Sequence, residues 1–329
     1  MKKIINQPEN VVNEMLDGLV YAHGDLISRV NDSGVIISND LKQGKVALIS
    51  GGGSGHEPAH AGFVGQGMLG AAVCGPVFTS PTPDQVLVAI QEADKGAGVF
   101  LVIKNYSGDV MNFEMAKDLA EMEDIQVETI IVDDDIAVED STYTAGKRGV
   151  AGTVLVHKIL GAAADQGATL IEIKELAEAI VPNIKTLGVA LTGATVPEVG
   201  HPGFVLGEDE LEFGVGIHGE PGYSKEKIAP SKELAKEIVG KLKGQFNWQA
   251  GEEFGLLVNG LGSTPLMEQY VFINDVKELL AADGLTVSFK KVGDYMTAID
   301  MAGLSLTMIK LTEADWLEKL NYNVQTIAW

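Results

Sequence analysis

One cysteine in 329 residues, Cys74, excludes an internal disulfide and any cysteine-built zinc site. It sits in the apolar stretch LGAAVCGPVF and reads as a small buried side chain with no chemical role. Positive charge is scarce too: 24 Lys and Arg stand against 46 Asp and Glu, a formal charge of −22. Nucleic acid and acidic membrane surfaces both need basic patches, so neither is an expected partner. No apolar run approaches the roughly 18 residues that a membrane helix needs. The start, MKKIINQPENVVNEM, places polar residues and a proline where an export signal carries its apolar stretch. A soluble, cytoplasmic protein is the expectation. Low-complexity tracts and internal repeats are also missing.

The chain is long enough for two cores, and 46% of its residues are hydrophobic. Helical spacing over residues 10 to 23 gives way to a polar segment up to about residue 44. Strands are predicted at KVALIS, LGAAVC, GVFLVIK, ETIIVDD and GVALTG, with helical patterns such as PDQVLVAIQEADK and VMNFEMAKDLAEME between them. Alternation of this kind predicts an α/β fold, a mostly parallel sheet covered by helices. Ligands in such sheets bind beyond the carboxyl ends of strands, so the loops after the first three strands should share one rim. Two more helices cover GKRGVAGTVLVHKILGAAADQG and LIEIKELAEAIVPN, and Pro182 and Gly188 mark a boundary. We expect an N-terminal α/β domain over 1–183 and a second, mixed-sheet α/β domain over 184–329. The second should hold strands FGVGIH, FGLLVNG, TVSFKKV and LSLTMIKL, the helix LMEQYVFINDVKELLAADG, and a charged helix-like face over 224–246.

LISGGGSGHEPAH, residues 48 to 60, is the first polar oddity on the predicted rim. It is not a phosphate loop, since Gly55 is followed by His56 and Glu57 instead of the lysine and hydroxyl that such a loop requires. His56 to His60 spells HExxH, but that zinc pattern works only on a helix, and Pro58 favours a helix starting near itself. His56 would then lie in the loop and His60 inside the following helix. The glycines instead let backbone approach a small ligand, with His56 presented at the strand end. Lys104 and Asp109 follow the strand GVFLVIK and bring a cation and a carboxylate to the same rim, although Asp109 alone would read as a helix cap. His218 in GVGIHGEPG is open to a ligand because glycines flank it. The run Asp133, Asp134, Asp135 reads as a strand end with hydrogen-bonded carboxylates rather than a metal site.

GGGSGHEPAHAGFVGQGMLGAA, FTSPTPDQ, KNYSGDVMNFE, VDDDIAVEDSTYTAGKRGVAGTVLVHK, ATVPEVGHPGF, EFGVGIHGEPG and NGLGSTPLMEQY together resemble the sugar-binding subunit of the dihydroxyacetone (glycerone) kinase family. The resemblance spans most of the chain apart from residues 24–42 and 223–250. It implies that the imidazole of His218 adds to the ketone carbon of dihydroxyacetone and holds it as a hemiaminal. Only a carbonyl forms that bond, so glycerol is refused without a shape test. It further implies that Asp109 accepts the proton of the hydroxyl as it attacks phosphorus, and that His56 and Lys104 hydrogen-bond substrate oxygens and share acid and base work. Gly53 would donate its amide, and Ser54, Gly55 and Ser80 would line the pocket. No phosphate loop or second nucleotide-binding unit is visible in the chain, so the resemblance implies the phosphoenolpyruvate-dependent type. There, ADP and Mg sit on a separate helical subunit, recharged by a phosphohistidine protein of the phosphotransferase system; this chain would hold no metal or cofactor and act as a homodimer. Relatives of the subunit also serve as ketone sensors using the same histidine. Lys104, His56 and Asp109 together favour the kinase, because a sensor needs no base beside the hydroxyl.

Overall fold

The computed structural model describes residues 2–137 and 145–329, so residues 138–144 of the long VDDDIAVEDSTYTAGKRGV match lie outside the described residues. Twelve described strands form two six-stranded sheets. The first contains β1 (Ile27–Arg29), β2 (Val35–Ser38), β3 (Ala47–Ser54), β4 (Ala71–Val77), β5 (Val99–Lys104) and β6 (Val127–Val132), in the order β1-β2-β4-β3-β5-β6. Its four core strands, β4, β3, β5 and β6, run parallel, and β1 and β2 add an antiparallel edge. The mostly parallel sheet expected from the apolar runs is therefore present. The short β1 and β2 fall in the stretch read as merely polar.

The second sheet has the order β11-β10-β12-β7-β8-β9, where β7 is Ile184–Ala190, β8 Glu210–Phe213, β9 Ser224–Lys227, β10 Glu253–Gly260, β11 Thr286–Gly293 and β12 Gly303–Lys310. Only β10 and β11 pair in parallel. Two expectations are corrected here. FGVGIH is not a strand: β8 stops at Phe213 because Gly214 takes a φ of +74°, which turns the chain out of the sheet. The charged stretch 224–246 is not one helix, since Ser224–Lys227 pairs with β8 and Pro230 caps a helix that begins only at Ser231.

Helices α2 (Pro83–Ala93) and α3 (Ser107–Glu121) cover one face of the first sheet through Val86, Ala89, Ile90, Phe113 and Ala116. On the other face pack α1 (Val11–His23), α4 (Gly152–Asp165) and α5 (Leu170–Ile180). Helix α4 is mostly apolar and buried all round, with Thr153, His157 and Lys158 its buried polar residues. Its neighbours include β3 and β5 of the first sheet and β7 of the second, so it lies between the two sheets. Helices α6 (Ser231–Phe246) and α7 (Leu266–Ala282) cover the second sheet's outer face, and α8 (Ala314–Leu320) packs on α4. Among the described residues no helix is long and apolar enough to cross a membrane.

Candidate functional site

The rim of parallel strand ends is where the polar oddities converge. Strand β3 runs on through its glycines, and Gly52 at a φ of +142° leaves room that no side chain could share: a Cβ there would lie 2.5 Å from Lys104 Nζ and 3.2 Å from Asp109 Oδ2. Lys104, the last residue of β5, is buried, and its Nζ donates to the Gly51 carbonyl at 2.8 Å. Asp109 lies in the first turn of α3, 3.7 Å from that ammonium, and the nearby side chain of Ser80 helps to hold its pKa down. Asp109 thus faces inward from a helix start rather than capping its own backbone. Burial raises its pKa above the ordinary carboxylate value, opposed by Lys104, and burial lowers that of Lys104, opposed by Asp109.

His56 is tied to a loop 241 residues away, between β11 and β12. Its Nδ1 lies 2.8 Å from the Thr297 carbonyl, and Thr297 N donates back to the His56 carbonyl at 3.1 Å. Ile299 N bonds the Gly55 carbonyl at 2.8 Å, and the Thr297 hydroxyl bonds the Glu57 carbonyl at 2.9 Å. Because a carbonyl only accepts, His56 carries its proton on Nδ1 and presents a lone pair at Nε2. That nitrogen faces His218 Nε2 at 3.2 Å. His218 therefore carries its proton on Nε2, and its Nδ1 is a buried acceptor with no partner. Burial, then Lys104, pushes the pKa of His56 down to about 3; burial, then His56, holds that of His218 well below the usual histidine value. Both rings are neutral at physiological pH.

Aromatic rings wall the pair in. Phe78 stacks on His56 at 5.2 Å, and Tyr106 meets His218 edge-on at 4.2 Å between ring centroids. The loop carrying His218 is held from behind by the buried Arg148, which reaches Asp135, Glu220 and the Gly214 carbonyl. Glu220 in turn accepts from the His218 amide at 2.9 Å. Nothing local in the sequence marks Thr297, Tyr106, Phe78 or Arg148 as members of this site; they arrive through contacts distant along the chain.

Of the residues singled out in the sequence, His56, Lys104, Asp109, Ser80, Gly53 and His218 share this region. Gly53 packs against the backbone of Phe78 and Thr79. The hydroxyl of Ser54 is turned to the Gly75 carbonyl, and the amide of Gly55 to its neighbour Glu57. His60 departs from expectation. It is not in a helix but in a turn before the short 3-10 segment Ala61–Phe63, buried, with Nε2 3.0 Å from Lys104 Nζ. Asp134, which accepts the amides of Val150 and Gly152 and the Thr186 hydroxyl, serves the start of α4. Among the described residues no cluster of three or more His, Cys, Asp or Glu is arranged to hold a metal ion, HExxH and the aspartate run included. Cys74 is half-buried, and burial pushes its thiol up to about 12, away from reactive thiolate chemistry.

The family model of the Dak1 domain matches residues 17–328. The chain is 67% identical, over its whole length and 99% of the relative, to the dihydroxyacetone-binding subunit DhaK of the PTS-dependent dihydroxyacetone kinase of Lactococcus lactis. It is 46% identical to DhaQ, the DhaKLM operon coactivator of the same species, over 99% of this chain and all of the relative. Among solved structures, a dihydroxyacetone kinase operon co-activator DhaQ superposes with a TM-score of 0.92 at 46% identity, covering 96% of this chain and 98% of that one.

Proposed function

Because the chain belongs to the Dak1-domain family of dihydroxyacetone kinase subunits, we propose that it captures dihydroxyacetone on His218 and presents the hydroxyl for phosphorylation. It is of the dihydroxyacetone-binding type found in PTS-dependent kinases, a phosphotransferase subunit. The observation that carries the chemistry is the facing pair of imidazoles, 3.2 Å apart, with its protons assigned by the Thr297 carbonyl. His218 Nε2 bonds to the ketone carbon while His56 Nε2 takes the proton that Nε2 loses. His56 then returns that proton to the former carbonyl oxygen, leaving a hemiaminal hydroxyl and two neutral rings. His218 Nδ1 bears no proton before or after, so its lack of a partner strands no buried donor.

The second step belongs to Asp109. As the substrate hydroxyl oxygen bonds to phosphorus, its proton passes to the carboxylate and ADP leaves on the donor subunit. Burial raises the basicity of Asp109, which suits that task, and Lys104 supplies positive charge beside the developing phosphate. ADP and Mg on a helical partner, a phosphohistidine protein behind it, a homodimer and a cytoplasmic site complete the reading.

The rival is a ketone-sensing regulatory relative, and the operon coactivator DhaQ shares the fold at 46% identity. Higher identity to DhaK, together with Asp109 poised beside Lys104, favours the kinase. Reconstitution with the ADP-binding partner, the phosphotransferase proteins and phosphoenolpyruvate should yield dihydroxyacetone phosphate. His218→Ala should abolish both product and the tetrahedral carbon signal of bound 13C-labelled ketone. Binding of that signal by wild type with no product from active partners would establish the sensor instead.

A further inference from the structure

Behind Lys104, on the side away from Asp109, two more histidines are buried that the proposed chemistry does not use. His60 Nε2 lies 3.0 Å from Lys104 Nζ, and His60 Nδ1 lies 2.9 Å from His157 Nε2, on α4. Both rings are buried, and His157 Nδ1 has no partner.

The proton inventory of this chain follows from the lysine end. Around Nζ stand the Gly51 carbonyl at 2.8 Å, the His60 ring at 3.0 Å and, as an ion pair at 3.7 Å, the Asp109 carboxylate, and an ammonium can only donate to them. His60 must then be bare at Nε2 and protonated at Nδ1. That proton points at His157 Nε2, which must be bare in turn, so His157 keeps its proton on the unpartnered Nδ1. The chain ends there, in a donor with nowhere to pass a proton, and so it does not drain Lys104. An apolar side chain at 157 would avoid a buried unpaired N–H. What histidine supplies instead is an acceptor for His60 Nδ1–H, without which His60 is free to turn an N–H toward the ammonium.

We propose that His60 and His157 are positioning residues of the phosphoryl-transfer site: a buried imidazole pair that keeps a lone pair turned to Lys104 and so fixes its ammonium beside Asp109. The role in turnover rests on the function proposed above; the hydrogen-bond directions do not.

Two measurements on the full chain test it. Long-range proton–nitrogen NMR of 15N-histidine-labelled protein should show both rings as the Nδ1–H tautomer; an Nε2–H tautomer at either overturns the clamp. In the reconstituted assay, His60→Leu should lower kcat on the order of tenfold to a hundredfold with KM nearly unchanged. His60→Gln, whose amide oxygen replaces the Nε2 acceptor, should recover most of that loss, and His157→Leu and His157→Gln should rank the same way. Equal losses in Leu and Gln variants of matched melting temperature would reduce the pair to space-filling, and an unchanged kcat in His60→Leu would refute it. If a Leu variant does not fold, the tautomers and the Gln variants still decide. If wild type itself makes no product, the functional reading fails and the tautomers alone judge the clamp.

Discussion

At His218 the nitrogen facing His56 carries the proton, and the other keeps a bare lone pair with no donor nearby. A nucleophilic imidazole has to be neutral, and here burial enforces that, helped by the Lys104 charge felt at both rings. A histidine whose folded pKa is depressed becomes protonated only as pH falls towards that lowered value. Ketone capture should therefore stay level from about pH 8 to about pH 5, where an ordinary histidine would be mostly charged. The tetrahedral carbon signal of 13C-labelled dihydroxyacetone measures it, and a decline centred near the ordinary histidine value of about 6.5 would contradict it. Asp109 is proposed to act at the other step. Asp109→Asn should keep that signal and lower kcat by roughly a hundredfold to ten-thousandfold; turnover within about twofold of wild type would remove the carboxylate from the mechanism.

At the scale of elements, β3 determines whether the charged groups can meet, since its glycines leave the space that Lys104 and Asp109 fill. Gly52→Ala would place a methyl 2.5 Å from Nζ on backbone held at a φ of +142°. About 1 to 3 kcal/mol of strain is expected, together with a loss of turnover of about a hundredfold as the ammonium is displaced. Denaturant unfolding and the reconstituted assay read the two effects separately. Strands β3 to β6 were legible in the sequence because buried parallel strands are written as largely apolar runs, and β7, antiparallel to both neighbours, is just as buried and as apolar. The short β1 and β9 were not, since their polar and charged residues look like loop or helix until a neighbour pairs with them, and the apolar β2, Val35–Ser38, is a brief run inside an otherwise polar stretch. FGVGIH looked like a strand for the opposite reason: its apolar residues pack in a loop whose glycines carry the turn. In the site, His56, Lys104, Asp109 and His218 stood out through their glycine-rich or strand-end settings. His60, His157, Thr297 and Arg148 acquire their roles from contacts 44 to 241 residues apart, and no local pattern encodes these.

Across the whole molecule, the two sheets are joined by more than α4. The last residues return to the segment between β3 and β4: Gln325 N bonds the Gln66 carbonyl and Ala328 N the Gly62 carbonyl. Trp329 stacks on Phe289 of β11, with Lys291 over its ring. Trp329→Ala should lower stability by about 1 to 3 kcal/mol, seen as a shift in the denaturant midpoint, and an unchanged midpoint would show the tail to be decorative. The stitching between Gly55–Glu57 and Thr297–Ile299 reaches further, into synthesis on the ribosome. Until residue 297 has emerged and docked, His56 lacks the carbonyl that fixes its tautomer. A nascent chain carrying only the first sheet holds His56, Lys104 and Asp109 but not His218, the residue proposed to capture the ketone. On the proposed mechanism, His218 meets a His56 of fixed tautomer only when the chain is nearly finished.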